Sequence, residues 1–238
     1  MIGLDRPLRP SWIYETLKIV EVGTKPSIYN EPFEDIAKEL VGKEGKRKVR
    51  TVIFRSFIYS FQKQRSAIQS NLFLDWSKEK SLGELTPLFF WKILMDYEVA
   101  RFIIKKIDIC VDSSNCLSVA LLSKKLVQEY GDRDVVKRSS RSFLATLVHF
   151  GFLGQVDKKN YNLFNKTKLS NEQLRDFLIL YAKSFLRSKV LDLKNIESDF
   201  FFFFQPIDFS EVAKEYNGID WEYIRGANRN QLMLRNDV

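Results

Sequence analysis

Residues 117–130 read LSVALLSKKLVQEY, residues 131–134 GDRD, residues 135–150 VVKRSSRSFLATLVHF and residues 151–169 GFLGQVDKKNYNLFNKTKL. Leu117 to Tyr130 has a helical apolar pattern and meets a glycine at Gly131. Val135 to Phe150 has another, stopped by Gly151 at a left-handed cap position. Phe152 to Leu169 is short and alternating, with a turn at Asp157-Lys158-Lys159-Asn160, and predicts a β-hairpin. Helix, tight turn, helix and hairpin is the order of a winged-helix-like unit, with the second helix as the reader. Phe143, Leu144, Leu147 and Phe150 form its apolar side. Its start, Lys137-Arg138-Ser139-Ser140-Arg141, is basic and hydroxyl-bearing, and such helices touch DNA through their first turns. Lys137, Arg138, Ser140 and Arg141 are therefore candidate DNA contacts. Lys158 and Lys159 sit at the wing tip, where contact with the phosphate backbone is usual. The plainer alternative is a helical hairpin that packs on the rest of the chain and is basic at one corner.

Upstream, the chain reads as helices. Ser11 to Val22 is one, capped by Ser11 and ended by Gly23. Pro32 opens a second that runs to Gly42. A third is expected from about Lys46 to Asn71, with Val49, Ile53, Phe57, Phe61 and Ile68 as its buried stripe. Ser81 to Pro87 reads as a turn. Leu88 to Ile109 is apolar almost all round, as in a helix packed on several neighbours. Asp112-Ser113-Ser114-Asn115 breaks the pattern and marks a boundary. The expected fold is mainly α. An N-terminal helical domain (1–112) precedes a C-terminal domain (113–238) that holds the winged-helix-like unit (117–169) and a small mixed, Phe-rich tail.

A second basic cluster lies at the start of the third helix: Lys43, Lys46, Arg47, Lys48 and Arg50, with Arg55, Lys63 and Arg65 further along. Cations at a helix N-terminus oppose the macrodipole, so helix stability does not explain their placement. The position suits phosphate, because free N–H groups point outward there. A solvated charged face with Glu44 as local partner is the bland alternative.

Downstream, Ser170-Asn171-Glu172-Gln173 is a capping-box pattern that starts a helix to about Lys189. Phe200 to Phe204 is five phenylalanines in a row. In a strand this covers both faces, so a buried strand is the primary reading and a partner interface the sharper one. Ser210 to Tyr216 predicts a short helix and Gln231 to Leu234 a last strand. Trp12, Trp76, Trp91 and Trp221 sit on apolar faces and suit the core.

The 238 residues carry 38 Lys plus Arg against 30 Asp plus Glu, a net charge of +8, which favours an anionic partner. Cys110 and Cys116 make no disulfide framework and fit a reducing cytosol. The first ten residues contain no signal-peptide pattern, and no apolar run nears the roughly 20 residues of a membrane span, so a cytoplasmic protein without membrane contact is expected. Little is present for catalysis. His149 is the only histidine, the cysteines lack a second pair for zinc, and Gly42 and Gly45 match neither a phosphate-binding loop nor a dinucleotide fingerprint. Glu44-Gly45-Lys46 has an acid-x-Lys pattern but no preceding strand, so a metal-dependent nuclease is not expected. No cofactor is implied.

Leu40-Val41-Gly42-Lys43-Glu44-Gly45-Lys46-Arg47-Lys48-Val49-Arg50-Thr51 resembles the leucine–glycine–basic element of BrxA-like proteins of bacterial BREX phage-defence systems. The charged helix Phe89 to Lys106 is similar to theirs, as is Ser139-Ser140-Arg141-Ser142-Phe143-Leu144 leading to Phe150-Gly151-Phe152-Leu153. The resemblance covers about residues 10 to 155. It implies a helical bundle similar to NusB-type antitermination factors and non-enzymatic binding of double-stranded DNA, with RNA as a variant, beside other proteins of the defence system. A protein-interaction adaptor of a multi-subunit defence or RNA-processing complex, without nucleic-acid contact of its own, is the alternative.

Overall fold

The structure is a computed structural model that describes residues 3–62, 65–226 and 229–235. The chain divides into two compact units, residues 1–165 and 166–238. It is mainly α, with a small three-stranded sheet in each unit.

The first unit opens with α1 (Pro10–Ile19), α2 (Asn30–Ile36) and α3 (Lys43–Ile53). Pro10 occupies the first turn of α1, so the expected Ser11 cap is not used; Arg9 holds that position without a side-chain cap. α3 runs into a π-turn at Phe54–Ile58 and stops, well short of the expected Asn71. Asn71 instead starts α4 (Leu72–Glu79): its Oδ1 accepts from Phe73 N (2.9 Å) and Leu74 N (3.3 Å), while its Nδ2 donates to Ile58 O at 2.8 Å. One buried side chain thus closes one helix end and opens the next.

Ser81 caps α5 (Leu82–Asp96) through a capping box with Glu84. The expected turn at 81–87 is therefore the first part of a helix, with Pro87 inside it. α5 is buried on nearly every side, Leu88 to Leu94 included, and Phe89 meets Phe57 edge-on at 5.5 Å. The expected single helix 88–109 is broken at Tyr97, whose backbone is extended (φ −120°, ψ 110°), and continues as α6 (Glu98–Ile107). The break is held from outside: Arg55 Nη2 donates to Tyr97 Oη at 2.7 Å.

β1 (Cys116–Ser118), α7 (Val119–Tyr130), α8 (Asp134–His149), β2 (Leu153–Gln155) and β3 (Asn160–Leu163) complete the unit. Gly131 (φ +76°) and Gly151 (φ +76°) end the two helices in backbone regions that favour glycine. β2 and β3 form the hairpin, and β1 pairs with β3 in the register Leu117↔Tyr161, giving the sheet order β1-β3-β2. The break expected at 112/113 lies inside this unit, because α6 packs against both α7 and α8.

The second unit holds α9 (Asn171–Leu180), β4 (Val190–Asp192), α10 (Phe209–Glu215), β5 (Trp221–Arg225) and β6 (Asn230–Leu234), with sheet order β4-β6-β5. The Ser170–Gln173 capping box starts α9 as expected. α9 ends ten residues in, passing into a π-turn (Tyr181–Leu186) before Arg187 turns left-handed. The phenylalanine run is not a strand. Ser198–Phe201 is a 3-10 turn, which buries Phe200, Phe203 and Phe204 and leaves Phe201 and Phe202 half-buried. The turn sets Phe200 and Phe201 against Phe177 of α9 (5.9 and 4.7 Å), while Phe202 meets Phe203 edge-on at 5.0 Å. Arg175 clamps Asp220 through two bonds of 2.6 and 2.8 Å. The four tryptophans are buried, as expected.

Candidate nucleic-acid interface

A helix advances about 100° per residue, so Asp134, Lys137, Arg138, Arg141 and His149 fall within about a third of the circumference of α8. All five are exposed. Positions 136, 140, 143 and 147 fall together on the buried face of α8. Ser140 belongs to that set and is only 5% exposed. It cannot stand beside Arg138 and Arg141 as a surface contact, contrary to the reading of its hydroxyl from sequence; it borders a crevice between α7 and α8. Ser139 also turns inward, and its Oγ accepts from Leu4 N at 2.7 Å. Thr146 Oγ1 accepts from Leu8 N at 2.9 Å, so residues 4–8 run along this flank of α8.

The three cations of α8 differ in freedom. Lys137 pairs with Asp132 in the inter-helix turn. Arg138 and Arg141 have no ion-pair or hydrogen-bond partner among the described residues. At the β2–β3 turn, Asp157 Oδ1 accepts from Lys159 N (2.6 Å) and Asn160 N (2.9 Å), and these bonds hold its carboxyl below the usual carboxylate range. The clip leaves Lys158 and Lys159 exposed. Lys159 O accepts from Val119 N at 3.0 Å, tying the hairpin to the start of α7.

The α3 cluster is less uniform than its sequence suggests. Gly42 (φ +87°) precedes α3 without a side-chain cap. Arg47 donates to both oxygens of Glu44 (3.1 and 2.8 Å), which lowers the Glu44 pKa and raises that of Arg47. Lys46 Nζ donates to Glu34 O at 3.0 Å, and Arg50 Nη1 to Pro26 O at 3.2 Å. The Arg50 guanidinium also lies 5.1 Å from the Phe54 ring, and burial pulls its pKa down. Lys46 and Arg50 therefore do serve stability, by satisfying a carbonyl of α2 and one of the 3-10 turn (Pro26–Tyr29) before it. Lys43 and Lys48 are exposed and make no hydrogen bond or ion pair among the described residues, although the Lys48 charge also helps to lower the Glu44 pKa. A pocket of about 260 Å³ opens between this helix start and Phe33. Arg55 is committed to Tyr97, Arg65 lies 5.3 Å from the Tyr59 ring, and Lys63 lies outside the described residues.

Sequence reasoning passed over Lys124 and Lys125, which stand exposed on α7. The adjacent pair within LLSKKL is the signal that could have found them. His149 has its pKa lowered by partial burial and by the Arg9 charge. Burial raises the Cys110 thiol, and both cysteines are free. Among the described residues, no three His, Cys, Asp or Glu side chains are placed to hold a metal ion. No described helix is long and apolar enough to cross a membrane.

No protein-family model matches the chain, and no curated protein matches it. Among solved structures, one described as "SspB crystal structure" is similar. The match covers 98% of this chain and 83% of that one, with a TM-score of 0.58 and 12% sequence identity. At that identity the likeness is one of fold.

Proposed function

We propose that this protein binds double-stranded DNA without catalysing a reaction, and that it serves a BREX-type phage-defence system in the cytoplasm. The observation that carries the reading is the outward face of α8. Arg138 and Arg141, without an ion-pair or hydrogen-bond partner among the described residues, stand with Lys137 on the second helix of a helix–turn–helix followed by a wing with exposed Lys158 and Lys159. That order of elements directs a helix of this kind into the major groove and the wing to the adjacent backbone. Lys43 and Lys48 at the start of α3 supply a second phosphate-binding surface in the same unit. The defence-system assignment rests on the resemblance of residues 40–51, 89–106 and 139–153 to BrxA-like proteins.

The test is a binding titration against duplex DNA at several salt concentrations. A phosphate binder loses affinity linearly in log–log form; absence of binding at low salt would overturn the proposal. Single-stranded RNA in the same titration tests the RNA variant. A second reading, an adaptor that docks on a larger complex, draws on a groove of about 430 Å³ beside the half-buried Phe201 and Phe202. It predicts a stable protein complex and no affinity for nucleic acid.

A further inference from the structure

The crevice between α7 and α8 has a volume of about 140 Å³ and opens to solvent past the exposed Ser123, Lys137 and Arg141. Val119 and Leu126 of α7 and Val136 of α8 supply its apolar lining. A space of about 150 Å³ is the size of a single benzene ring, and here the apolar wall faces a polar rim of Ser123, Lys137, Ser140 and Arg141. The crevice also carries polar groups without partners. Ser140 is 5% exposed, and its hydroxyl has no hydrogen-bond partner among the described residues. The residue is buried as a whole, but its hydroxyl oxygen is not sealed off and opens into the crevice, where a ligand can reach it. Arg141, one residue on, borders the same crevice and is also unpartnered, whereas Lys137 at the rim is engaged by Asp132.

We propose that this crevice is a binding site for a small organic carboxylate whose apolar body is about the size of one aromatic ring. The body fills the space between Val119, Leu126 and Val136. The carboxylate meets the Arg141 guanidinium, whose fork matches two oxygens, and accepts the proton of Ser140 Oγ. The other small ligands fit worse. Inorganic phosphate leaves the apolar walls unfilled, and a neutral hydrocarbon leaves Ser140 and Arg141 unpaired.

The probe is benzoate, titrated into the full chain and followed by backbone amide shifts in two-dimensional NMR spectra. Saturable shifts confined to α7 and the first half of α8 are expected. Arg141→Gln should weaken binding by at least about tenfold, the value of a lost charge-assisted hydrogen bond. Ser140→Leu should abolish it by filling the crevice. Should that variant fail to fold, Ser123→Phe, at an exposed position on the opposite wall, decides instead. Non-saturating shifts, shifts scattered over the surface cations, or unchanged affinity in Arg141→Gln would each overturn the proposal. The titration contains no DNA, so its outcome is independent of whether the protein binds DNA.

Discussion

Replacing Arg138 and Arg141 together by Gln removes the two guanidiniums on the outward face of α8 that have no partner among the described residues. Lys137 stays, because Asp132 already engages it. Each phosphate neutralised on duplex DNA contributes about 0.9 to the slope of log affinity against log salt. Two lost contacts should therefore reduce the slope by about 1.8. Between 50 and 200 mM salt, a fourfold change, the unaltered protein should lose about twelvefold more affinity than the variant, since 4 raised to 1.8 is about 12. Fluorescence anisotropy with a short labelled duplex measures both slopes. Lys78→Gln on α4, where the lysine pairs with Asp75 at 3.5 Å, is the control and should leave the slope unchanged. Both arginines are exposed, so the variant should keep the thermal midpoint. An unchanged slope in a folded double variant would refute the reasoning, because free cations on a helix lying in the groove must release counterions.

Lys92 and Asp96 form a 2.5 Å ion pair with side chains only 7% and 17% exposed, so Lys92→Ala removes a buried cation together with its packed stem and should cost about 2–4 kcal/mol. Thermal unfolding should register this as a midpoint drop on the order of 10 °C. Asn71→Ala removes the cap of α4 and the bond to Ile58 O together, and chemical denaturation should show a loss of about 1–3 kcal/mol. The His149 pKa is lowered in the fold, so the unfolded chain takes up the proton first as the pH falls. Stability should be flat above about pH 6.5, decline as the pH drops toward the lowered value and then level off; in His149→Gln that decline should be missing from the pH series of midpoints.

What sequence reasoning could reach depended on whether a signal was local. Gly131 and Gly151 ended α7 and α8 where expected, since a positive φ leaves its mark in the residue itself. The Ser170–Gln173 capping box held for the same reason. The misses were decided across space. Tyr97 breaks an apolar run that looks like one helix, and the group that holds it, Arg55, lies 42 residues away. Asn71 looked like the end of a helix and is the start of another, because its partners include Ile58. The three-residue β1 is too short to carry a pattern and exists through its pairing with β3. At the candidate interface, Lys137, Arg138 and Arg141 were legible as cations on one face. The inward turn of Ser140 followed from the same helical arithmetic, which the count of hydroxyls had overridden.

The α3 cluster shows why charge alone overcounts a binding surface. Of its five cations, Arg47 is satisfied by Glu44, and Lys46 and Arg50 by backbone carbonyls; only Lys43 and Lys48 make no hydrogen bond or ion pair among the described residues. Binding and stability should therefore separate along this helix. Lys48→Glu removes a free surface charge. If it touches phosphate, affinity for duplex DNA at 0.1 M salt should fall about eightfold, which is 10 raised to 0.9 for one contact, with the thermal midpoint unmoved. Arg50→Glu removes the bond to Pro26 O and the contact with Phe54, at a cost of about 1–3 kcal/mol in stability. Any binding defect in that variant is thus partly a defect of folding. Changing Arg47, Lys48 and Arg50 all at once merges the two effects, whereas the single variants, each measured by anisotropy and by denaturation, keep them apart. If Lys48→Glu binds as the unaltered chain does, this helix start is a structural corner, and the case for DNA contact falls to α8 and the wing.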